Sequence, residues 1–169
     1  MPDIDPGHLE IERRFLVEAP PEDAASYPHA ELLQGYVSFY FESADGTEVR
    51  LRSEGSSFVE TLKRGSGGVR WESEREIDRA EFEARWPQVG DRFVSKTRYR
   101  LPGGIELDVF HGRFEGLACA EVEFPDEAAS RAFEPPPWFG REITDDVRYT
   151  HTNLIVDGLP SETGAGETH

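Results

Sequence analysis

Strict alternation of charged and apolar residues, repeated through most of the chain, is the feature that most limits what this sequence can fold into. A period of two puts successive side chains on opposite faces of a strand, so each such segment reads as β with one charged and one apolar face. Leu9–Val17 sets Glu10, Glu12 and Arg14 against Ile11 and Phe15. The segment 33–41 sets Gln34, Tyr36 and Ser38 against Leu33, Val37 and Phe39. Val49-Arg50-Leu51-Arg52 alternates aliphatic with base, and a turn at 54–57 leads into Phe58–Lys63. A Gly-Ser-Gly-Gly turn at 65–68 precedes Val69–Ile77, and Phe93–Arg100 carries Lys96, Arg98 and Arg100 on one parity. Leu101-Pro102-Gly103-Gly104 is a hairpin signal before Ile105–Phe110, and Ala118–Phe124 completes the series.

Helical signals are few. Asp78-Arg79-Ala80-Glu81 has the form of a capping box and opens a short helix that Pro87 ends. A second helix is predicted over 127–133, and the stretch from Pro135 to Leu154 reads as a rigid connection with a last helix. Roughly eight strands with two or three short helices predict a mainly β (α+β) fold. The expected form is one eight-stranded antiparallel sheet, closed into a β-barrel because closure removes exposed edges, with the helices outside. A chain of 169 residues fits one domain, expected over 8–159, with a flexible arm at 1–7 and a disordered polar tail at 160–169.

The charged faces carry the functional information. The acids on the polar parity are Glu10, Glu12, Glu72, Glu74, Glu106, Asp108, Glu121 and Glu123, and the bases are Arg14, Arg50, Arg52, Lys63, Lys96 and Arg98. Any one of these strands alone reads best as a solvated face with cross-strand ion pairs. Together they differ from such a face, because same-sign pairs recur at i, i+2. Charges so spaced lie about 7 Å apart and repel by roughly 2 kcal/mol at an effective dielectric near 20 unless opposite charge sits between them. Acid pairs call for divalent cations, and all-oxygen ligands suit Mg²⁺ or Mn²⁺ better than zinc. Base pairs call for a polyanion with several phosphate groups. A site with both has the makeup of metal-assisted phosphoryl transfer. Only two of the 18 basic residues are lysines, Lys63 and Lys96, and both lie in strand segments, which marks them as functional candidates.

The same logic excludes several classes. Thirty-four acids against 18 bases give a formal charge of −16, which opposes binding to nucleic acid by phosphate neutralisation and leaves room for a small anionic ligand. No apolar run reaches the length of a membrane span, and Met1-Pro2-Asp3-Ile4-Asp5 lacks the regions of a signal peptide, so a soluble, cytoplasmic protein is expected. Cys119 is the only cysteine and reads as a core residue. His8, His29, His111, His151 and His169 show no zinc-ligand spacing. The apolar parity, with Ile11, Phe15, Val49, Leu51, Leu62, Ile105, Leu107, Val109, Val122 and Phe124, cannot face water. Either the few helices or a second subunit, as in a homodimer, must cover it.

In order along the chain, Glu10-Ile11-Glu12-Arg13-Arg14-Phe15-Leu16-Val17, Gln34-Gly35-Tyr36, Val49-Arg50-Leu51-Arg52, Thr61-Leu62-Lys63 and Glu72-x-Glu74 resemble the CYTH, or triphosphate tunnel metalloenzyme, family. Lys96-Thr97-Arg98-Tyr99, Glu106-Leu107-Asp108-Val109-Phe110, Glu121-Val122-Glu123-Phe124 and Pro137-Trp138-Phe139-Gly140 continue the likeness to its short bacterial, single-domain members. The resemblance implies a tunnel of eight strands with Mg²⁺ or Mn²⁺ held by glutamates. It implies Glu10, Glu12 and Glu123 as metal ligands supported by Glu121 and Asp108, and Arg14, Arg50, Arg52, Lys63, Lys96 and Arg98 as the phosphate cradle. Glu10, Glu12, Arg14 and Tyr36 fill the catalytic positions it implies. Glu72, Glu74 and Glu106 are left between second-metal or water-positioning work and tunnel ion pairs. Arg14 stands where the motif has lysine, and arginine cannot act as a base, so a lysine-activated water is placed in question. Arg148-Tyr149-Thr150-His151 stands in place of Arg-Tyr-x-Asn. The implied activity is hydrolysis of inorganic triphosphate to pyrophosphate and phosphate. The alternatives are a nucleoside or thiamine triphosphatase, an adenylate cyclase, or a non-catalytic polyphosphate-binding module.

Overall fold

The computed structural model describes residues 11–65 and 71–161. Glu10, the predicted arm at 1–7, residues 66–68 of the predicted turn and residues 162–169 of the predicted tail lie outside the described residues. The strands are β1 (Ile11–Leu16), β2 (His29–Ser38), β3 (Glu48–Glu54), β4 (Ser57–Arg64), β5 (Trp71–Glu76), β6 (Phe93–Leu101), β7 (Ile105–Phe110) and β8 (Ala118–Phe124). Three short helices accompany them: α1 (Arg79–Arg85), α2 (Glu127–Ala132) and α3 (His151–Asp157). Hydrogen bonds order the antiparallel sheet β1-β8-β7-β6-β2-β3-β4-β5. The mainly β reading therefore holds, while β1 and β5 stand at the two ends of that order with no ladder between them among the described residues. Among the described residues barrel closure is not made by hydrogen bonds, so the expected closed barrel is not established.

Part of the reason lies at β1. Its second edge is taken by the connection after α2: the Ile143 amide donates to the Arg14 carbonyl at 2.8 Å, the Leu16 amide donates to the Arg141 carbonyl at 2.9 Å, and the Gly140 amide donates to the Leu16 carbonyl at 2.6 Å. A non-strand segment thus satisfies edge groups that would otherwise invite another strand. Residue 140 must be glycine for this approach, since a Cβ there would lie 2.9 Å from the Leu16 carbonyl oxygen.

The chain divides into two compact units, one built on Glu31–Ser95 and the other on segments 11–30 and 96–161. In the first, Leu51, Ile77, Phe82 and Val89 form a buried cluster, with Leu33, Val37, Phe58, Trp86 and Phe93 packed against it. Helix α1 starts as its sequence signals, with the Asp78 side chain accepting from the Glu81 amide. Pro87 then tightens the chain into a 3₁₀ turn, Trp86–Val89. The spacing of Phe82, Trp86 and Val89 lays three apolar side chains on the apolar parity of β2 and β3. In the second unit Leu101, Ile105, Leu107, Ala120, Val122 and Phe124 form the core, covered by Ala129, Phe133, Trp138 and Phe139. Phe15 completes that layer, its ring 4.9 Å from Phe139 and 6.2 Å from Phe133. Within each unit, helices and the Pro-rich connection cover the apolar parity.

β2 differs from its expected bounds. It ends at Ser38 rather than Phe41, because its register with β3 shifts between Tyr36 and Ser38. The Glu42 carboxylate then accepts from the Phe39 amide at 2.7 Å and turns the chain. Tyr40 and Phe41 are left 58% and 55% exposed despite the aromatic run that suggested a strand.

A carboxylate on the apolar side of the first unit shows how charge is tolerated there. Glu60 is buried. It accepts from Arg75 at 3.1 Å and from Arg85, which ties β4 and β5 to α1. Burial alone would raise its pKa, but Arg85 and Arg75 overcome that and hold it below the usual glutamate value.

Gly35 sits beneath this helix. A Cβ there would lie 2.6 Å from Val89 Cγ1 and 2.7 Å from the Trp86 ring. Gly35→Ala is expected to destabilise the fold by about 1–3 kcal/mol through overpacking, measured by denaturant unfolding. Unchanged stability would mean that α1 does not seat on β2.

Candidate active site

In the second unit the strands β6, β7, β8 and β1 present Lys96, Arg98, Glu106, Asp108, Glu121, Glu123, Glu12 and Arg14 on one parity. Asp108 is the hub. Lys96 Nζ lies 2.8 Å from its Oδ2, while Arg98 donates through Nε to Oδ1 at 2.8 Å and through a terminal nitrogen to Oδ2 at 3.0 Å. The register puts Arg98 directly across from Asp108, which makes this fork geometry local to one hairpin. Burial would raise the Asp108 carboxyl, but the charges of Lys96 and Arg98 reverse this and hold it well below the usual aspartate range. Burial likewise lowers Lys96, with the Asp108 charge opposing. Arg98 also reaches Glu106 at 3.6 Å. Both Asp108 oxygens are therefore committed to cations.

Glu12, Arg14, Glu121 and Glu123 make up the other part of this face. Glu12 pairs with Glu123 and Arg14 with Glu121 in the β1–β8 register. Arg14 Nε lies 3.7 Å from Glu121, and its two terminal nitrogens donate to the Tyr149 carbonyl at 3.4 Å. Burial, then the hydrogen bond and negative charge of Glu12, push the Glu121 carboxyl up to about 7. Two carboxylates are thus held together with only Arg14 and Arg98 to offset them. Burial also raises the Cys119 thiol, to about 11, which keeps it protonated and inert as expected.

The first unit brings Tyr36, Arg50, Arg52, Lys63, Glu72 and Glu74 to one parity, through the pairs Tyr36↔Arg50, Lys63↔Glu72 and Thr61↔Glu74. Its charges behave differently from those around Asp108. Among the described residues Arg50, Arg52, Lys63, Glu72 and Glu74 make no salt bridge, although Lys63 and Glu72 are neighbours in register. Arg50 Nε is buried with no hydrogen-bond partner among the described residues. A buried guanidinium N–H without an acceptor is costly, and a ligand anion is the group that would satisfy it.

The carboxylates of β1 and β8 fit a divalent cation by chemistry: they are hard oxygen donors, and Glu121 is raised in proton affinity by burial and by the neighbouring Glu12. Among the described residues no three His, Cys, Asp or Glu side chains gather closely enough to make a metal site, and Glu10, the expected partner of Glu12, is not among those residues.

No protein-family model matches the chain. It is 46% identical over 156 residues to an inorganic triphosphatase of Nitrosomonas europaea, covering 87% of this chain and 97% of that one. The chain belongs to the CYTH-type inorganic triphosphatase family. It is also 36% identical over 153 residues to an inorganic triphosphatase of Acetivibrio thermocellus, covering 86% of this chain and 92% of the relative. A crystal structure of an inorganic triphosphatase matches with a TM-score of 0.73 at 42% identity, covering 90% of this chain and 97% of that one. Family members of this kind are hydrolases, and the eight-stranded antiparallel sheet with few helices is their fold. No helix among the described residues is long and apolar enough to cross a membrane.

Family membership does not by itself explain two groups that sequence reasoning left aside. His151 Nε2 lies 3.1 Å from Lys96 Nζ, and the Tyr149 carbonyl takes Arg14. Both come from the segment leading into α3, where period-two reasoning has no purchase. The only sequence signal was the histidine itself, standing in the last motif of the resemblance.

The Glu121 shift has a consequence for stability. The folded protein holds that proton more tightly than an unfolded chain, whose glutamates titrate near 4.5, so this group's contribution to stability is lost as pH rises from about 4.5 to about 7. Glu121→Gln is expected to gain stability relative to the parent across that window in metal-free buffer. Denaturation midpoints at a series of pH values check it, and parallel curves for the two proteins would refute the coupling.

Proposed function

We propose that the protein hydrolyses inorganic triphosphate to pyrophosphate and phosphate, binding it on the charged parity of its strands. The observation that carries this reading is the surplus of cationic donors on the polar parity of β3 and β4. Arg50, Arg52 and Lys63 have no carboxylate partner among the described residues, and the Arg50 Nε lacks any acceptor. Triphosphate supplies several anionic oxygens at the spacing of adjacent strands, and forked guanidinium donors suit them. In the second unit Lys96 and Arg98 on β6 and Arg14 on β1 are donors of the same kind.

Glu10, Glu12, Glu121 and Glu123 are the residues that would hold Mg²⁺ or Mn²⁺, and Asp108, with both oxygens committed, is assigned to fixing Lys96 and Arg98 instead. A divalent cation bound there supplies charge neutralisation at phosphate oxygens and a water of lowered pKa. The residues of the chain do the positioning. The cationic side chains orient the triphosphate so that the water oxygen bonds to a terminal phosphorus as the bond from that phosphorus to its bridging oxygen breaks, and pyrophosphate leaves with the electron pair. Glu72 and Glu74, without ion-pair partners among the described residues, are the carboxylates open to accept the water proton. Tyr36 lies across from Arg50, its hydroxyl accepting from Gln34 at 3.3 Å, and is assigned to the phosphate that Arg50 would bind. A guanidinium does not serve as a base in proteins, so Arg14 is assigned to binding phosphate. Hydrolysis is expected to take place in the cytoplasm, with no nucleic-acid or membrane partner.

A phosphate-release assay with tripolyphosphate, ATP and thiamine triphosphate, each with Mg²⁺ or Mn²⁺, tests this. Tripolyphosphate should be the fastest substrate, and Glu12→Gln should lower that rate at least about 100-fold with the fold intact. Binding of tripolyphosphate without turnover would identify a polyphosphate-binding module instead, and ATP converted fastest to cyclic AMP would identify a cyclase.

A further inference from the structure

Lys96 is the most deeply buried cation of the face, with its side chain 3% exposed. Its stem runs past Phe110, the ammonium nitrogen 5.2 Å from the ring centroid. An ammonium has three protons and no lone pair. Asp108, 2.8 Å away, takes one. His151 Nε2, 3.1 Å away, takes a second. Since Lys96 can only donate, Nε2 must be the acceptor, so the imidazole is neutral with its proton on Nδ1. The ring is held from the side by an edge contact with Phe110 at 6.2 Å and from behind by its place at the first turn of α3. With two protons so directed from two sides, the direction of the third is fixed. Nothing else among the described residues takes it.

We propose that His151 is a positioning residue for substrate: by accepting one proton of Lys96, it aims the remaining N–H of that ammonium at a phosphate oxygen of the bound triphosphate. This rests on the triphosphate reading above. Without the imidazole, Nζ can shift on its flexible stem about the single contact with Asp108, which lowers its donation to the anion, and the desolvated ammonium loses a partner. The effect belongs to binding, because a direction set before substrate arrives is a preorganised contact. Asp108 alone cannot do this, since one contact leaves the stem torsions of Lys96 free to swing Nζ about that carboxylate, and His151 supplies the second point that fixes where Nζ sits.

Calorimetric titration of tripolyphosphate into metal-free protein separates this idea from the hydrolase reading, because it needs no turnover. Replacing the acceptor by a ring that keeps the Phe110 contact, His151→Phe, should weaken Kd about 10-fold, the scale of one hydrogen bond to a charged group, with the melting temperature held. His151→Gln, whose amide oxygen reaches the Nε2 position, should restore Kd to within about 3-fold of the parent. His151→Leu replaces the phenylalanine variant if that one fails to fold. In a Lys96→Met background the His151→Phe step should change Kd less than about 2-fold, since an effect that passes through Lys96 vanishes with it. Parent-like binding by His151→Phe, equal weakening by His151→Gln, or a full 10-fold loss in the Lys96→Met background would each overturn the proposal. Should the parent bind tripolyphosphate and release no phosphate from it, the hydrolase reading fails while the role of His151 stands.

Discussion

Neutralisation of like charges that lie two residues apart on the same strand face is the constraint on which the rest of this structure depends. Wherever the polar parity places two cations or two carboxylates together, the fold either supplies an opposite charge or leaves a demand for one. Around Asp108 it supplies it: one carboxylate serves Lys96 and Arg98 through a fork and an ion pair. Around Glu12 and Glu121 it supplies only part, and burial together with the neighbouring Glu12 leaves the Glu121 carboxyl raised to about 7. On β3 and β4 it supplies none to Arg50, Arg52 and Lys63 among the described residues. The polar faces thus grade from satisfied to unsatisfied, and the unsatisfied part is where ligand charge is called for.

The apolar parity obeys a simpler rule. A sheet with charge on one face must bury the other, and here short elements suffice because each strand offers only two or three apolar side chains. Helix α1 and its Pro87 turn cover the first unit, and α2 with Trp138 and Phe139 covers the second. The single buried charge on that side, Glu60, is held by two arginines rather than left to seek a ligand. The contrast between Glu60 and Arg50 separates a structural ion pair from a functional surplus within one strand pair.

The catalytic implications follow from which side chains retain free valence. Asp108 reads in sequence as one more acid among ligands, yet its oxygens are spent on holding cations, and its work is to keep Lys96 and Arg98 in place. Arg14 replaces a motif lysine, and its fork reaches both Glu121 and the Tyr149 carbonyl. Its fork thereby couples β1 to the segment entering α3, the same segment that brings His151 to Lys96.

Most strand locations, the face each described charged residue occupies, the cap at Asp78 and the family were legible in the sequence, because a period of two and a capping residue are local properties of a few neighbouring side chains. The extent of β2 was not, since a register shift and the Glu42 turn override the aromatic run that continues past Ser38. Nor was the covering of the β1 edge by Gly140–Ile143, which is fixed by backbone hydrogen bonds between residues far apart in the chain. Alternation told which residues share a face; only the tertiary structure decided which of them neutralise one another. That choice turns on angstrom distances between strands brought together by folding, and such distances leave no periodic trace in the order of amino acids.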